Sequence, residues 1–340
     1  MKKKFIYGCG VGWCGTTSLH RTLSINQRYL HTGFRKESLY LTYALLYNEG
    51  ILDPINTHND YFLNLSENKI SFLGPCKEIV SGIGSFIKNE TPYNEQHYFS
   101  VLKKFTPEQI NYFLTKPYTL DKYLEYINLI SNYSEGVFDA VGDFLNQNFI
   151  NTFKIEKSFD CFKKRIEENF DFKFLLILRD PIRSIFSRIN CGYYNNLISV
   201  DKLTYTNVYD LIFDKILDNQ LQVFDYAKFI KKVQQKYGKE NIHYVIMEDF
   251  FNKNDDEIIK LENFLNTKIN EVYPCAFVPD KGINAPKIQY LEDQWMSDHE
   301  VLTPEFYKFL FKKIKKIYDD FEKLHGCLPA DWGRPIDYGY

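Results

Sequence analysis

The chain has 340 residues, 42 Lys and Arg against 44 Asp and Glu, with 44% hydrophobic and 25% charged residues. That balance excludes a disordered, collagen-like or disulfide-stapled chain and leaves an ordinary globular protein. The formal net charge of −2 excludes a generally basic coat for polyanions, yet residues 1–40 carry a local +6 and residues 173–190 a local +3. In chain order, Phe5-Ile6-Tyr7 is a short β-prone run that ends in a glycine-rich stretch, Gly8 to Gly15. Thr16-Thr17-Ser18-Leu19-His20-Arg21 then reads as the start of a helix. Arg28 to His31 is a second short strand leading into Arg35-Lys36-Glu37. Residues 38–135, rich in Tyr, Asn and Phe, form a mostly helical insertion, in which Thr106, Pro107 and Gln109 make a capping box.

Phe174 to Leu178 is a continuous apolar run of strand length, expected of a central parallel strand covered on both faces. Asp180 then caps a helix that opens with Pro181. Residues 205–236 have helical spacing and end at Gly238, and Ile242 to Met247 is another buried strand, followed by Glu248-Asp249 and a short helix. Thr303-Pro304 starts a last helix that Gly326 stops. Strands alternating with helices predict an α/β fold, a three-layer parallel sheet flanked by helices, in one domain over residues 1–340.

Seven cysteines without a C-x-x-C pair fit a reducing compartment, and a cytoplasmic location is expected. No apolar run approaches the roughly 18 residues of a membrane span. The seven histidines form no ligand-spaced cluster, so no metal is expected. The positive residues track two loops rather than a repeated stripe, which argues against a nucleic-acid partner.

Those two loops carry the chemistry. Gly10-Val11-Gly12-Trp13-Cys14-Gly15-Thr16-Thr17 is a glycine-rich turn between strand and helix, where backbone N–H groups and the helix N-terminus converge on an anion. The Gly10-x4-Gly15 spacing also fits a Walker A loop, but Thr16 stands where that loop has its Lys. In Leu178-Arg179-Asp180-Pro181-Ile182-Arg183-Ser184-Ile185-Phe186-Ser187, Arg179 sits at the carboxyl end of a strand, where open α/β sheets bind ligands. Ser187 follows two helical turns later.

Together the segments resemble the sulfotransferase family that uses 3′-phosphoadenosine 5′-phosphosulfate (PAPS) and has a P-loop-like fold. Gly15, Thr16 and Thr17 resemble the end of its first motif, G-x-x-[KR]-[SG]-G-T-T, and Arg179, Asp180, Pro181, Arg183 and Ser187 resemble R-[DN]-P-x-x-R-x-x-S, with the second Arg one residue early. Val141-Gly142-Asp143 and Met247-Glu248-Asp249-Phe250 echo two further segments, and Asp280-Lys281-Gly282 echoes a late R-K-G loop with Asp in place of Arg. The resemblance implies that Gly12, Trp13, Cys14, Gly15, Thr16, Thr17 and Ser18 hold the 5′-phosphosulfate. It implies that Arg179 and Ser187, with Lys281 and Gly282, hold the 3′-phosphate. Glu37, in a Lys36-Glu37 pair like that of the glycan-modifying branch, is the first candidate for the base, and His31 the second. Trp13 replaces the family's loop cation, for which Lys36, Lys157 and Arg21 are candidates. The expected acceptor is a small molecule or glycan bound in a cleft shaped by residues 38–135. Two alternatives stay open: a nucleotide kinase or hydrolase with a degenerate Walker A loop and Asp180 near magnesium, and a catalytically silent nucleotide-binding homologue.

Overall fold

A computed structural model describes residues 2–10, 14–33, 40–50, 95–114, 117–145, 155–185, 224–272, 304–330 and 332. The first strand, β1 (Lys3–Gly10), is longer than the apolar run alone predicts. It takes in Gly8, where the Phe144 ring fills the space of a side chain, 2.1 Å from an ideal Cβ, and Cys9, which is therefore a buried strand residue rather than a loop residue. Helix α1 (Thr16–Arg21) follows and continues as a π-helical turn, Thr22–Asn26. The second strand, β2 (Leu30–His31), starts two residues later than predicted. Arg28 has φ 51°, a left-handed conformation that no strand accommodates.

Within the predicted insertion, the described residues form α2 (Tyr40–Asn48), α3 (Glu95–Leu102), α4 (Pro107–Leu114) and α5 (Leu120–Tyr133). The capping box closes as predicted: the Gln109 backbone N–H donates to Thr106 Oγ1 at 3.2 Å, and the Thr106 N–H donates to Gln109 Oε1 at 2.9 Å. Most of the described aromatic side chains here face inward, with Tyr112 exposed. Tyr40, Tyr98, Phe105, Phe113, Tyr118, Tyr123 and Tyr126 are all buried.

Next come β3 (Ala140–Leu145), α6 (Glu156–Ile166) and β4 (Phe170–Leu178). Helix α6 covers β1 and β4 with an aromatic layer. Phe5 stacks on Phe172 with centroids 5.5 Å apart, Phe162 meets Phe5 edge-on at 5.7 Å, and Phe159 lies 5.9 Å from Phe174. Alternation along the strands places these rings on one face. Then come α7 (Tyr226–Tyr237), β5 (Ile242–Ile246), α8 (Met247–Phe251), α9 (Asp255–Leu265) and α10 (Pro304–His325). The predicted helix over 205–236 is described only from residue 224, and there it does not run through, because Asp225 is the N-cap from which α7 starts. The chain leaves β5 one residue earlier than predicted, because Met247 opens α8, with Glu248 and Asp249 in its first turn, where acids suit the helix N-terminus.

The strands form a five-stranded parallel sheet flanked by helices, in the order β2-β3-β1-β4-β5. In the register of β1 on β3, Ile6 faces Gly142 and Tyr7 faces Asp143. The chain divides into two compact units, residues 1–10, 16–176 and 258–273, and residues 11–15, 177–257 and 274–340. The second unit thus contains the end of the glycine-rich loop together with the Arg179 segment. Among the described residues, no helix is long and apolar enough to cross a membrane.

Candidate functional site

In the second unit, the turn after β1 ends at Gly15, whose φ of +80° favours glycine. Space imposes the same choice, since a Cβ here would lie 2.8 Å from Phe251 Cε2 and 3.3 Å from Met247 Cγ. Cys14 is buried, with Sγ 3.4 Å from Ser184 Oγ and 4.0 Å from Tyr226 OH. Burial pushes its thiol pKa up, and the Ser184 hydrogen bond and the positive charge of Arg179 pull against that rise.

Arg179 directly follows β4, and its carbonyl accepts a 3.0 Å hydrogen bond from Tyr226 OH. Asp180 is the predicted helix cap. Its Oδ1 accepts from the backbone N–H of Ile182 at 2.7 Å and of Arg183 at 3.2 Å, and also from Tyr318 OH at 2.9 Å. The Asp180 N–H donates to Glu248 Oε1 at 3.1 Å, and Trp332 Nε1–H donates to Glu248 Oε2 at 3.0 Å. Burial raises the Glu248 carboxyl pKa, against the pull of these donors. A buried polar chain, Tyr318–Asp180–Glu248–Trp332, therefore anchors the start of the helical turn at 181–185 that follows Arg179.

In the first unit, Thr16 and Ser18 of α1 are buried, and the Ser18 carbonyl accepts from Thr22 Oγ1 at 2.9 Å. Thr17 lies in α1 as well. His31 sits in a closed network. Its Nε2–H donates to the Tyr98 carbonyl at 3.1 Å, its Nδ1 accepts from the Gly33 N–H at 3.0 Å, and its ring stacks on Tyr98 with centroids 3.8 Å apart. Burial lowers its pKa to about 3. The ring's lone pair is thus already occupied, which makes His31 a structural residue and a poor acceptor for a substrate proton. Nearby, Thr32 Oγ1 bridges His20 Nε2 and Tyr98 OH, each at 2.9 Å.

Gly12, Trp13, Glu37, Lys36, Ser187, Lys281 and Gly282 lie outside the described residues. Of the candidates for the missing loop cation, Arg21 is buried on α1 and Lys157 is exposed on α6. Asp143 is buried and accepts from Tyr123 OH at 3.2 Å. Gly142 has a packing reason, because a Cβ would lie 2.2 Å from the Ile6 carbonyl oxygen. Sequence reasoning missed Tyr226, Tyr318 and Trp332. Tyr318 follows the apolar spacing of α10, but nothing local marks its hydroxyl as the partner of an acid 138 residues away. Among the described residues, no group of three or more His, Cys, Asp or Glu side chains could hold a metal ion.

Gly15, after β1, and Arg179, after the adjacent β4, both lie beyond the carboxyl ends of parallel strands, the place where open α/β sheets bind ligands. The class is an α/β protein with a P-loop-like fold. A family model described as the sulfotransferase domain matches residues 14–316, and the chain belongs to this family. Among solved structures, the sulfotransferase from Alicyclobacillus acidocaldarius is similar at a TM-score of 0.50 and 14% identity, over 98% of this chain and 100% of that one. That likeness is one of fold. The sulfotransferase domain from the curacin biosynthetic pathway matches at a TM-score of 0.44 and 12% identity, over 86% of this chain and 97% of that one. Comparison with curated proteins gave no match.

Proposed function

We propose that this sulfotransferase moves a sulfuryl group from PAPS to an acceptor hydroxyl. The observation that carries the reading is the meeting of the two motif segments, with Cys14 Sγ 3.4 Å from Ser184 Oγ and Arg179 set at the end of β4. The residue types support this donor, since the backbone N–H groups of a glycine-rich segment and a guanidinium both suit phosphate oxygens. Asp180 is engaged as a helix cap and by Tyr318, which counts against its use beside magnesium.

In this scheme the backbone amides from Gly12 to Thr17 and the hydroxyls of Thr16, Thr17 and Ser18 hold the phosphosulfate. Arg179 and Ser187, with Lys281 and Gly282, hold the 3′-phosphate. Glu37 accepts the proton of the acceptor hydroxyl as its oxygen bonds to sulfur. The bond from sulfur to the phosphate oxygen breaks, and 3′-phosphoadenosine 5′-phosphate leaves. Alignment and stabilisation of charge on that oxygen supply the acceleration. Arg21, Lys36 or Lys157 replaces the loop cation that Trp13 displaces. The Lys36-Glu37 pair supports a carbohydrate acceptor. The described aromatic residues of the 38–135 region, apart from exposed Tyr112, mainly build its own core.

Labelled PAPS with a panel of sugar, lipid and phenolic hydroxyls tests the reading. Transfer to one class is expected, and Glu37→Gln should spare donor binding while lowering turnover about 10²- to 10⁴-fold. Binding of the donor with no transfer to any hydroxyl would support the silent homologue instead.

A further inference from the structure

We propose that Tyr226 is a positioning residue that holds the two ligand loops in register, so that recognition of a 3′-phosphate depends on a phenol that does not itself bind the donor. The inference rests on the donor reading above.

Tyr226 opens α7 and is fully buried. Its placement is set locally, because Asp225 caps the helix, with Oδ1 accepting from the Lys228 N–H at 3.2 Å. The ring is packed by Phe224, Phe321 and Trp332, with centroids 6.3, 6.3 and 6.0 Å away. A phenylalanine would satisfy all of this packing.

The hydroxyl has a separate task. It donates to the Arg179 carbonyl at 3.0 Å and lies 4.0 Å from Cys14 Sγ. Having given its proton to that carbonyl, the phenol oxygen can accept from the Cys14 thiol, and the thiol sulfur can accept from Ser184 Oγ at 3.4 Å. The protons then run in one direction along Ser184, Cys14, Tyr226 and the Arg179 carbonyl. Burial favours the protonated thiol and the protonated phenol that this order requires.

The Arg179 carbonyl belongs to the peptide plane between Arg179 and Asp180. On its other side, the N–H of the same plane donates to Glu248 Oε1 at 3.1 Å. Both polar groups of one peptide unit are therefore held, which fixes from two sides the backbone that carries Arg179. Small displacements of a positioned charge cost affinity steeply. Cys14 lies at the other loop, one residue before Gly15. One hydroxyl thus ties the arginine assigned to the 3′-phosphate to the turn assigned to the 5′ end.

The test compares two ligands that differ only in the 3′-phosphate, 3′-phosphoadenosine 5′-phosphate and adenosine 5′-phosphate, titrated by calorimetry into the full chain and its Tyr226→Phe variant. The wild type should prefer the first. The variant should bind it about 3- to 10-fold more weakly, the range for one lost hydrogen bond, with the affinity for the second ligand little changed. Cys14→Ala should shift the same preference in the same direction, which provides a second reading if Tyr226→Phe folds poorly. An equal loss for both ligands, or an unchanged preference in both variants, overturns the positioning role. A wild type with no preference for the 3′-phosphate instead overturns the donor reading, and this inference with it.

Discussion

Replacement of Asp180 tests how the Arg179 segment is held. Its Oδ1 accepts three hydrogen bonds, from the N–H groups of Ile182 and Arg183 and from Tyr318 OH, and the residue is buried. Asp180→Ala removes a helix cap, at about 1 to 2 kcal/mol. It also takes the acceptor from a buried phenol, at about 1 to 3 kcal/mol. Removing a carboxylate that faces the Glu248 carboxyl returns a small part of this, since the Asp180 charge is among the influences raising the Glu248 pKa. The sum is about 2 to 4 kcal/mol of lost stability. Asp180→Asn keeps an oxygen at the same place and ranks with Asp as a cap, so it should lose less than about 1 kcal/mol. Urea unfolding of the three proteins, followed by far-ultraviolet circular dichroism, measures the difference. If the Ala variant loses less than about 1 kcal/mol, or the Asn variant loses as much as the Ala variant, the oxygen is not what anchors the segment.

Two further outcomes follow from the geometry. Burial raises the Glu248 pKa in the folded state, so the fold binds its proton more tightly than the unfolded chain does. The stabilisation from that proton is complete below the unfolded value and is lost as the pH rises through the folded one. The stability of the wild type relative to Glu248→Gln should therefore fall from pH 4 towards pH 8 in urea titrations, and a relative stability that rises with pH would contradict the assignment. Gly142→Ala should cost about 3 kcal/mol or prevent folding, because the added Cβ would lie 2.2 Å from the Ile6 backbone oxygen, which a side-chain rotation cannot relieve. An unchanged unfolding midpoint would refute that close approach.

What could be read directly from the sequence was local. The run Phe174 to Leu178, the Asp180-Pro181 cap and the Thr106–Gln109 box each depend on residues within a few positions, and each appears as expected. The long-range partners were hidden. His31 was the second candidate for the base because Tyr98, which stacks on it and whose carbonyl accepts a hydrogen bond from it, is 67 residues away. Glu248 stood out only as an echo of a family segment, while Trp332, which donates to it, follows the last helix with no pattern around it. The start of β2 was misplaced because Arg28 adopts a left-handed conformation, which glycine would have signalled and arginine does not. Tyr226 was hidden for a related reason: an aromatic residue at a helix start signals packing, and only the fold brings its hydroxyl to the Arg179 carbonyl.

The central claim is that Arg179 and the Gly15 turn form a site for PAPS and its product. Calorimetric titration of the wild type and Arg179→Ala with 3′-phosphoadenosine 5′-phosphate, set beside ATP with magnesium, tests it most directly. The wild type should bind 3′-phosphoadenosine 5′-phosphate more tightly than ATP, and Arg179→Ala should lose about 1.5 to 3 kcal/mol, a charge-assisted contact. Tighter binding of ATP with magnesium, or an Arg179→Ala variant of unchanged affinity, would contradict it.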